Sequence, residues 1–143
     1  MKIRAVTEKD ATDFARLNNK FNKTQDTGQQ IAERVKAFPP GEIALVAEAN
    51  EEIIGFACLR VTRSLCYGFA LAELTELYVE EVYRRRGAGR ALIKQAENIA
   101  QARGAETLTL LTGGKNISAQ EFYRSVGYQI LPDLVMSKKL VGK

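Results

Sequence analysis

The residues from Leu77 to Arg90 constrain the fold more than any other part of the chain. They form an apolar strand end, Leu77-Tyr78-Val79, then a turn with three consecutive arginines and two glycines, and then the start of a helix. Glycine lets a backbone approach an anion closely, and the first turn of a helix presents unpaired N–H groups at its positive end. Four arginines beside that end are unfavourable unless an anion compensates them. The pattern therefore predicts a strand–turn–helix that binds a diphosphate.

Basic charge is concentrated around this turn. The chain has 21 lysines and arginines and 17 aspartates and glutamates, a net charge of +4. Residues 84–103 carry six bases and one acid, a net of +5, so the remaining residues sum to −1. A nucleic-acid-binding protein usually spreads basic charge over a face. One focused anion site is therefore predicted, and nucleic acid is not expected as a partner.

The sequence contains no histidine. This excludes Ser-His-Asp and Cys-His nucleophile systems and histidine-based metal sites, and no metal site is expected. Cys58 and Cys66 both lie in apolar, strand-like sequence, so we expect them to be buried and structural rather than acyl-carrying. No apolar run is long enough for a transmembrane helix and no signal peptide is evident, so we expect a cytoplasmic protein without membrane contact.

Turn residues and apolar periodicity divide the 143 residues into short elements of a single domain, residues 1–143. Thr7 is predicted to start the first helix, with Asp10 in a capping-box spacing. The predicted strands are 2–6, 43–49, 53–65, 70–79, 107–112, 128–131 and 134–140, and the later helices are near 31–38, 87–102 and 118–126. The predicted fold class is α/β (α+β): a mixed, mostly antiparallel central sheet flanked by about four helices.

Two motifs resemble those of the GNAT superfamily of acyl-CoA N-acyltransferases. Arg84-x-x-Gly87-x-Gly89 is similar to its R/Q-x-x-G-x-G/A signature and follows a strand, as it does in that family. Residues 116–128 resemble its N-x-x-A-x-x-F/L-Y-x-x-x-G-F/Y segment. The resemblance extends over essentially the whole chain, because element order and length also fit. Arg85 departs from the family pattern, since many relatives have glycine there.

The resemblance implies acetyl-CoA as the cofactor and CoA as the product. The backbone of Leu77–Val79 would pair with the pantetheine arm like an added strand, and the Leu77 N–H would polarise the thioester carbonyl. The amides of residues 85–90 would hold the pyrophosphate. Arg84, Arg86 or Arg90 would reach the 3′-phosphate. The complete implied cofactor-binding set is Leu77, Tyr78, Val79, Arg84, Arg85, Arg86, Gly87, Ala88, Gly89, Arg90, Asn116 and Tyr123, where Asn116 contacts pantetheine or caps the helix after it.

Forming an amide from a thioester requires a neutral amine and a protonated leaving thiol. An amine with a pKa of about 10.4 is held neutral at pH 7 at a cost of roughly 4–5 kcal/mol. Glu73 and Glu76 are the candidate bases, but they lie three residues apart on one strand. Only one is expected to face the cleft unless a bulge intervenes. Glu73 falls where several family members keep a catalytic glutamate and shares its parity with Leu77, while Glu76 is the alternative. Tyr123 matches the family's general acid.

The predicted function is an acetyl-CoA-dependent N-acetyltransferase that acetylates a primary amine by direct attack in a ternary complex. Acidic sequence near the cleft favours a small cationic amine or an amino sugar as the acceptor. A protein lysine or N-terminal acetyltransferase is the alternative, and a non-catalytic CoA-binding sensor is the alternative from another class. Acceptor specificity is expected in residues 14–38 and in the loop 65–69. Association into a homodimer through the last strand is left open.

Overall fold

The computed structural model describes residues 1–142, and in them the chain forms five β-strands and four α-helices. The strands are β1 Lys2–Ala5, β2 Glu42–Ala49, β3 Glu52–Arg63, β4 Ala70–Val79 and β5 Thr109–Leu110. The helices are α1 Ala11–Asn22, α2 Gly28–Lys36, α3 Ala88–Ala102 and α4 Ile117–Ser125. The chain has two compact units: Met1–Leu111 holds the sheet and the first three helices, and the unit that starts at Thr112 holds α4.

The five strands form one sheet in the order β1-β2-β3-β4-β5. The first four strands pair antiparallel, and β5 pairs parallel to β4 after the crossover through α3. The predicted mixed, mostly antiparallel sheet with four helices is therefore confirmed. The predicted hairpin between β2 and β3 is also present, since the two strands pair antiparallel on either side of a two-residue loop. Both loop residues, Asn50 and Glu51, have left-handed φ angles, 52° and 64°. Two such residues in a two-residue loop match the twist of the flanking strands.

The helices predicted after β4 are present, but the three strands predicted there are shorter or absent. The strand expected at 107–112 has only the two residues of β5. The segments 128–131 and 134–140 form no strand in the described part of the chain. Large apolar side chains there are exposed, for example Leu134 at 87% and Met136 at 90%. Strand-like composition describes how a segment could pair, but it does not supply the partner that a ladder needs.

Helix α1 packs on one face of the sheet and begins at a charged network. Its Leu17 is fully buried with Phe56 and Tyr78 in one apolar cluster. Just before the helix, the buried carboxylate of Asp10 accepts from the Thr7 N–H at 2.8 Å and from both terminal nitrogens of Arg4 at 2.8 and 2.9 Å. The predicted Thr7/Asp10 capping box is thus present.

Helix α3 packs against β3 and β4 and buries Leu92, Ile93 and Ala96. On the sheet, Leu59 and Leu74 are buried on the face opposite to that of Phe56. The helix stops before Gly104, whose φ of 96° is the left-handed conformation typical of a helix end, as predicted. None of the helices in residues 1–142 is both long and apolar enough to cross a lipid bilayer.

Candidate active site

The edge of β4 that faces β5 is open over its last five residues. β5 pairs with β4 only as far as Leu74, so no strand of the described chain pairs with residues 75–79 on that side. On the other side, the N–H of Glu80 donates to β3. Backbone groups alternate in direction along a strand, so Leu77 and Val79 direct their N–H and C=O groups toward the open edge. An extended ligand can form β-type hydrogen bonds there.

The open edge continues into a turn with an unusual backbone. Arg85 has a φ of 65° and Gly87 a φ of 89°, both left-handed. The left-handed φ explains why glycine suits position 85 in the family that the motif resembles. A Cβ added to Gly87 would meet no heavy atom within 4 Å, so the space beside this residue is open. Turns of this kind form concavities lined by backbone N–H groups.

Helix α3 starts directly after Gly87 with an uncapped N-terminus. Within residues 1–142 no side chain accepts a cap hydrogen bond there, and the first turn contains no acidic residue. The first amides of an α-helix have no intrahelical partner and carry the positive end of the helix dipole. These amides are therefore available to an anion, as the sequence pattern predicts, and the open space at Gly87 fits a phosphate group.

The four arginines around the turn are exposed but have different roles. Arg84 Nε donates to the Val79 carbonyl at 2.8 Å, and its guanidinium lies 5.5 Å from the centroid of the Tyr78 ring. Arg84 therefore fixes the shape of the turn. No acidic side chain of the described residues forms an ion pair with the other three, Arg85, Arg86 and Arg90. These three guanidinium groups remain available to phosphate oxygens.

A cavity of about 450 Å³ lies between the end of α1 and the start of the turn. Phe21 and Tyr78 supply aromatic walls with stacked rings 5.0 Å apart, and Arg84 and Lys20 supply cations. Glu80 joins the two sides, because it accepts from Lys20 at 2.9 Å and from Arg16 at 3.1 Å. The ion pairs tie α1 to the end of β4, next to the turn that the sequence predicts to bind a diphosphate.

A β-bulge places both candidate carboxylates on one face of the sheet. In the β3–β4 ladder Cys58 is opposite Glu76 and Leu59 is opposite Leu74, which leaves Thr75 without a partner residue. Glu73 is opposite Arg60. Cys58 and Arg60 are two residues apart and share a face, so Glu76 and Glu73 share that face as well.

This arrangement corrects the parity expected from the sequence. A regular strand would place only one glutamate on the cleft face and Glu73 on the face of Leu77, and the structure shows the alternative, a bulge that brings both glutamates to one face. Leu77 is opposite Ala57 and therefore faces the α3 side, away from Glu73. The bulge changes the parity between Glu73 and Leu77, and no residue of the strand signals it in the sequence.

The two carboxylates have different surroundings. Burial raises the pKa of Glu76 above its usual value near 4.5, and a hydrogen bond from Asn22 at the end of α1 offsets part of the rise. Glu73 is half-buried opposite Arg60, whose Nε donates to Glu42 Oε1 at 2.6 Å. Glu76 therefore lies beside the end of α1, where burial favours its protonated form. Glu73 belongs to a charged row, Glu42, Arg60 and Glu73, that crosses three strands.

The two cysteines also differ. Cys58 lies next to Glu76 across the ladder, and burial raises the pKa of its thiol to about 12, so it stays neutral and unreactive at neutral pH. Cys66 is exposed in the loop after β3. The sequence prediction that both cysteines are buried is correct in part for Cys58, which is half-buried against the core cluster, and wrong for Cys66.

Asn116 and Tyr123 belong to the unit that starts at Thr112. The Asn116 side chain accepts from the Ala119 N–H at 3.1 Å and caps α4, which is one of its two predicted roles. Tyr123 is half-buried on α4, with its ring 5.4 Å from the Phe122 ring and 6.0 Å from the Tyr128 ring.

Sequence reasoning missed two residues that shape the site. Gly55 on β3 lies so close to the end of β4 that an added Cβ would be 2.7 Å from the Tyr78 carbonyl oxygen. Its only signal is a glycine inside an apolar strand, which often marks a close backbone approach. Arg60 carries no motif, and only the strand register reveals that it lies opposite Glu73.

Comparison with known proteins agrees with the fold and the turn. A sequence model of the Acetyltransferase (GNAT) family matches residues 9–128. The uncharacterized N-acetyltransferase YhfO of Bacillus subtilis is 33% identical over 134 residues, which covers 90% of each chain. Aminoglycoside N(6')-acetyltransferase type 1 of Klebsiella aerogenes is 33% identical over 102 residues, 66% of this chain and 67% of that protein.

Two further relatives extend the comparison. The ribosomal protein bS18-alanine N-acetyltransferase of Escherichia coli is 27% identical over 103 residues, 68% of this chain and 70% of that enzyme. The solved structure of the aminoglycoside N-acetyltransferase AAC(6')-Iy in complex with CoA has the same fold, with a TM-score of 0.85, 16% identity and coverage of 98% and 95% of the two chains. The turn, the sheet and the family match lead to one conclusion: the chain belongs to the GNAT family and is an N-acetyltransferase.

Proposed function

We propose that this N-acetyltransferase uses acetyl-CoA to acetylate the primary amine of a small cationic molecule or an amino sugar, with both substrates bound in one ternary complex. One observation carries the proposal: the open edge of β4 continues without interruption into the uncapped, arginine-rich start of α3. A ligand with an extended amide arm and a diphosphate needs this combination of a free strand edge and free helix amides.

The donor side consists of backbone groups and arginines. The C=O group of Leu77 and the N–H of Val79 would bind the pantetheine amides, since Arg84 already occupies the Val79 carbonyl. The amides of residues 85–90, together with Arg86 and Arg90, would bind the phosphates. Bound acetyl-CoA supplies the thioester that the amine attacks directly, and the Leu77 N–H is the donor placed to stabilise its carbonyl oxygen.

The acceptor side is the face that carries Glu76 and Glu73. Glu76 follows the bulge and immediately precedes Leu77, so a base at Glu76 is adjacent to the carbonyl-binding N–H. Its raised pKa makes the ionised carboxylate a stronger base, which suits a proton acceptor. We therefore assign the proton-accepting role to Glu76, directly or through a water, and the binding of the ammonium form to Glu73.

Tyr123 is assigned the role of general acid. Its position in the α4 motif supports this role, and a phenol with a pKa near 10 can protonate a thiolate whose conjugate acid has a pKa near 8.5. Asn116 caps α4 and so positions the helix that carries Tyr123. Its effect on the reaction is then indirect.

The acceptor class follows from charge and from the relatives. The cleft face presents Glu42, Glu73 and Glu76 against one cation, Arg60, so it favours a positively charged acceptor. The Klebsiella aerogenes relative is named for aminoglycosides, which supports an amino sugar. The Escherichia coli relative is named for an alanine of ribosomal protein bS18, which makes a peptide amine the second candidate.

Gly89→Asp tests the donor site. An aspartate in the first turn of α3 interacts favourably with the helix dipole and stabilises the helix by about 0.3–1 kcal/mol. The variant is therefore expected to stay folded. Its carboxylate repels a diphosphate from the same amides. Calorimetric titration is expected to show micromolar acetyl-CoA binding to the wild type and at least 100-fold weaker binding to Gly89→Asp, with thermal unfolding as the check on folding.

Gly68→Asp is the matched control, because it adds the same charge to a loop where a Cβ meets nothing within 4 Å. Its affinity for acetyl-CoA is expected to equal that of the wild type. Amine-dependent release of CoA thiol by the wild type completes the test. Equal affinities of Gly89→Asp and the wild type would overturn the donor site, and binding without thiol release for any amine would overturn the proposed acceptors.

A further inference from the structure

We infer that Arg60 selects acceptors that carry an oxygen hydrogen-bond acceptor beside the reacting amine. This inference rests on the proposed function and narrows its substrate class. It predicts that hydroxylated or carbonyl-bearing amines are used and that simple polyamines are poor acceptors.

The strand register places Arg60 beside the carboxylates of the acceptor face. Arg60 is directly opposite Glu73 in the β3–β4 ladder and directly opposite Glu42 in the β2–β3 ladder. Opposite residues in antiparallel strands have Cβ atoms about 4.5–5.5 Å apart. An ammonium group held by Glu73, or by Glu76 one pair further along the ladder, therefore lies within reach of the long Arg60 side chain.

Most hydrogen-bond donors of the Arg60 guanidinium are unused by the described residues. Its Nε donates to Glu42 Oε1, and in the described residues its two terminal nitrogens have no hydrogen-bond partner. Its side chain is 52% exposed, whereas that of Glu42 is only 22% exposed. Glu42 therefore binds the Nε–H of the guanidinium, and the four N–H groups of the two terminal nitrogens are available on a side chain that is half exposed.

The exposed part of the acceptor face also includes Arg60. Toward α1, the same face is covered where Phe56 and Tyr78 pack under Leu17. Toward the start of β4 it is open, because Arg60 and Leu71 are exposed. A molecule whose amine lies at Glu76 and that extends toward this open part of the face passes over Arg60.

The chemistry at Arg60 discriminates between two kinds of amine. A guanidinium binds hydroxyl, carbonyl or carboxylate oxygens and repels a second ammonium group. Amino sugars and peptide N-termini both carry such an oxygen next to the amine, whereas an alkyl diamine carries only cations. Arg60 thus accounts for specificity that the carboxylates alone, which attract any cation, do not provide.

Arg60→Gln tests this selection by thiol release with glucosamine, alaninamide and 1,4-diaminobutane as acceptors. The wild type is expected to prefer the two oxygen-bearing amines. In Arg60→Gln their kcat/KM is expected to fall about 10–100-fold, mainly through KM, because a charge-assisted hydrogen bond of the bound state is lost. The kcat/KM for the diamine is expected to rise, because Glu42 and Glu73 lose their neutralising cation.

Arg63→Gln is the matched control, since Arg63 lies three residues further along β3, on the opposite face. It is expected to leave the preference unchanged, and thermal unfolding checks that both variants fold. A wild type that prefers the diamine, or an equal loss for all three amines in Arg60→Gln, would contradict the role of Arg60 while leaving the proposed function in place. If the wild type acetylated none of the three amines, both the role of Arg60 and the proposed function would be contradicted.

Discussion

Glu76, which we propose as the proton acceptor, shows at the level of one residue how a catalytic role and a stable fold compete. Its carboxyl is half-buried beside Cys58 and has a raised pKa. Such a group binds its proton more tightly in the folded state, so its contribution to the free energy of unfolding decreases as the pH rises above its usual pKa near 4.5. The ionised form of Glu76 therefore stabilises the fold less than the protonated form does, and the proposed role requires the ionised form.

Glu76→Gln is expected to separate these two effects. It should lower kcat about 10²–10⁴-fold, remove the acidic limb of the pH–rate profile, and leave the free energy of unfolding at pH 7 unchanged or higher. Steady-state kinetics and urea unfolding on the same preparation measure both. Glu73→Gln is the comparison and is expected to raise KM for the amine more than it lowers kcat. The reverse result, with the larger kcat loss in Glu73→Gln, would transfer the proton-accepting role to Glu73.

At the level of elements, local chemistry and the β2–β3 hairpin were readable from the sequence, whereas the bulge in β4 and the extent of the later strands were not. The turn and α3 are predictable because glycines, arginines and apolar spacing act within a few residues. The bulge at Thr75 and the two-residue length of β5 depend on which strands lie alongside, and a sequence records no partner. This is why the sequence names Glu73 and Glu76 as candidates, yet only the register shows that they share a face with Arg60.

The junction between β1 and α1 gives an element-level prediction. Asp10→Asn removes the charge that Arg4 binds with two hydrogen bonds at a buried position, so it is expected to lower the free energy of unfolding at pH 7 by about 1.5–3 kcal/mol. The Arg4 guanidinium holds the pKa of Asp10 below its usual 3.8, so this stabilisation is complete above pH 3.8 and is lost as the pH falls below it.

Urea unfolding at pH 7 and at decreasing pH measures this effect, and wild type and Asp10→Asn should converge in acid. Asp13→Asn is the control, because Asp13 is 50% exposed and lies 3.9 Å from Arg16. Its effect is expected to stay within about 0.5 kcal/mol. A constant difference between wild type and Asp10→Asn at every pH would show that the charge of Asp10 is not the cause.

At the level of the whole molecule, the placement of charge matters more than its sum. The net charge of +4 is modest, but residues 84–103 alone carry +5, on the turn and along α3, and the remaining residues sum to −1. An exposed charge is screened over about 10 Å at 0.1 M salt, so only cations close to a bound anion contribute.

Homodimer formation stays a prediction of the sequence.

Arg90→Gln and Arg103→Gln separate local charge from net charge, because each lowers the net charge by one. Arg90 lies in the first turn of α3 and Arg103 just after its end. A helix of 15 residues is about 22 Å long, which is more than two screening lengths at 0.1 M salt. Calorimetric titration of CoA between 50 and 500 mM NaCl is expected to give an affinity about 10-fold weaker at high salt for the wild type and Arg103→Gln. Arg90→Gln should bind more weakly at low salt and show a smaller salt dependence. If both variants changed affinity equally, the phosphates would be responding to the field of the whole molecule rather than to the turn.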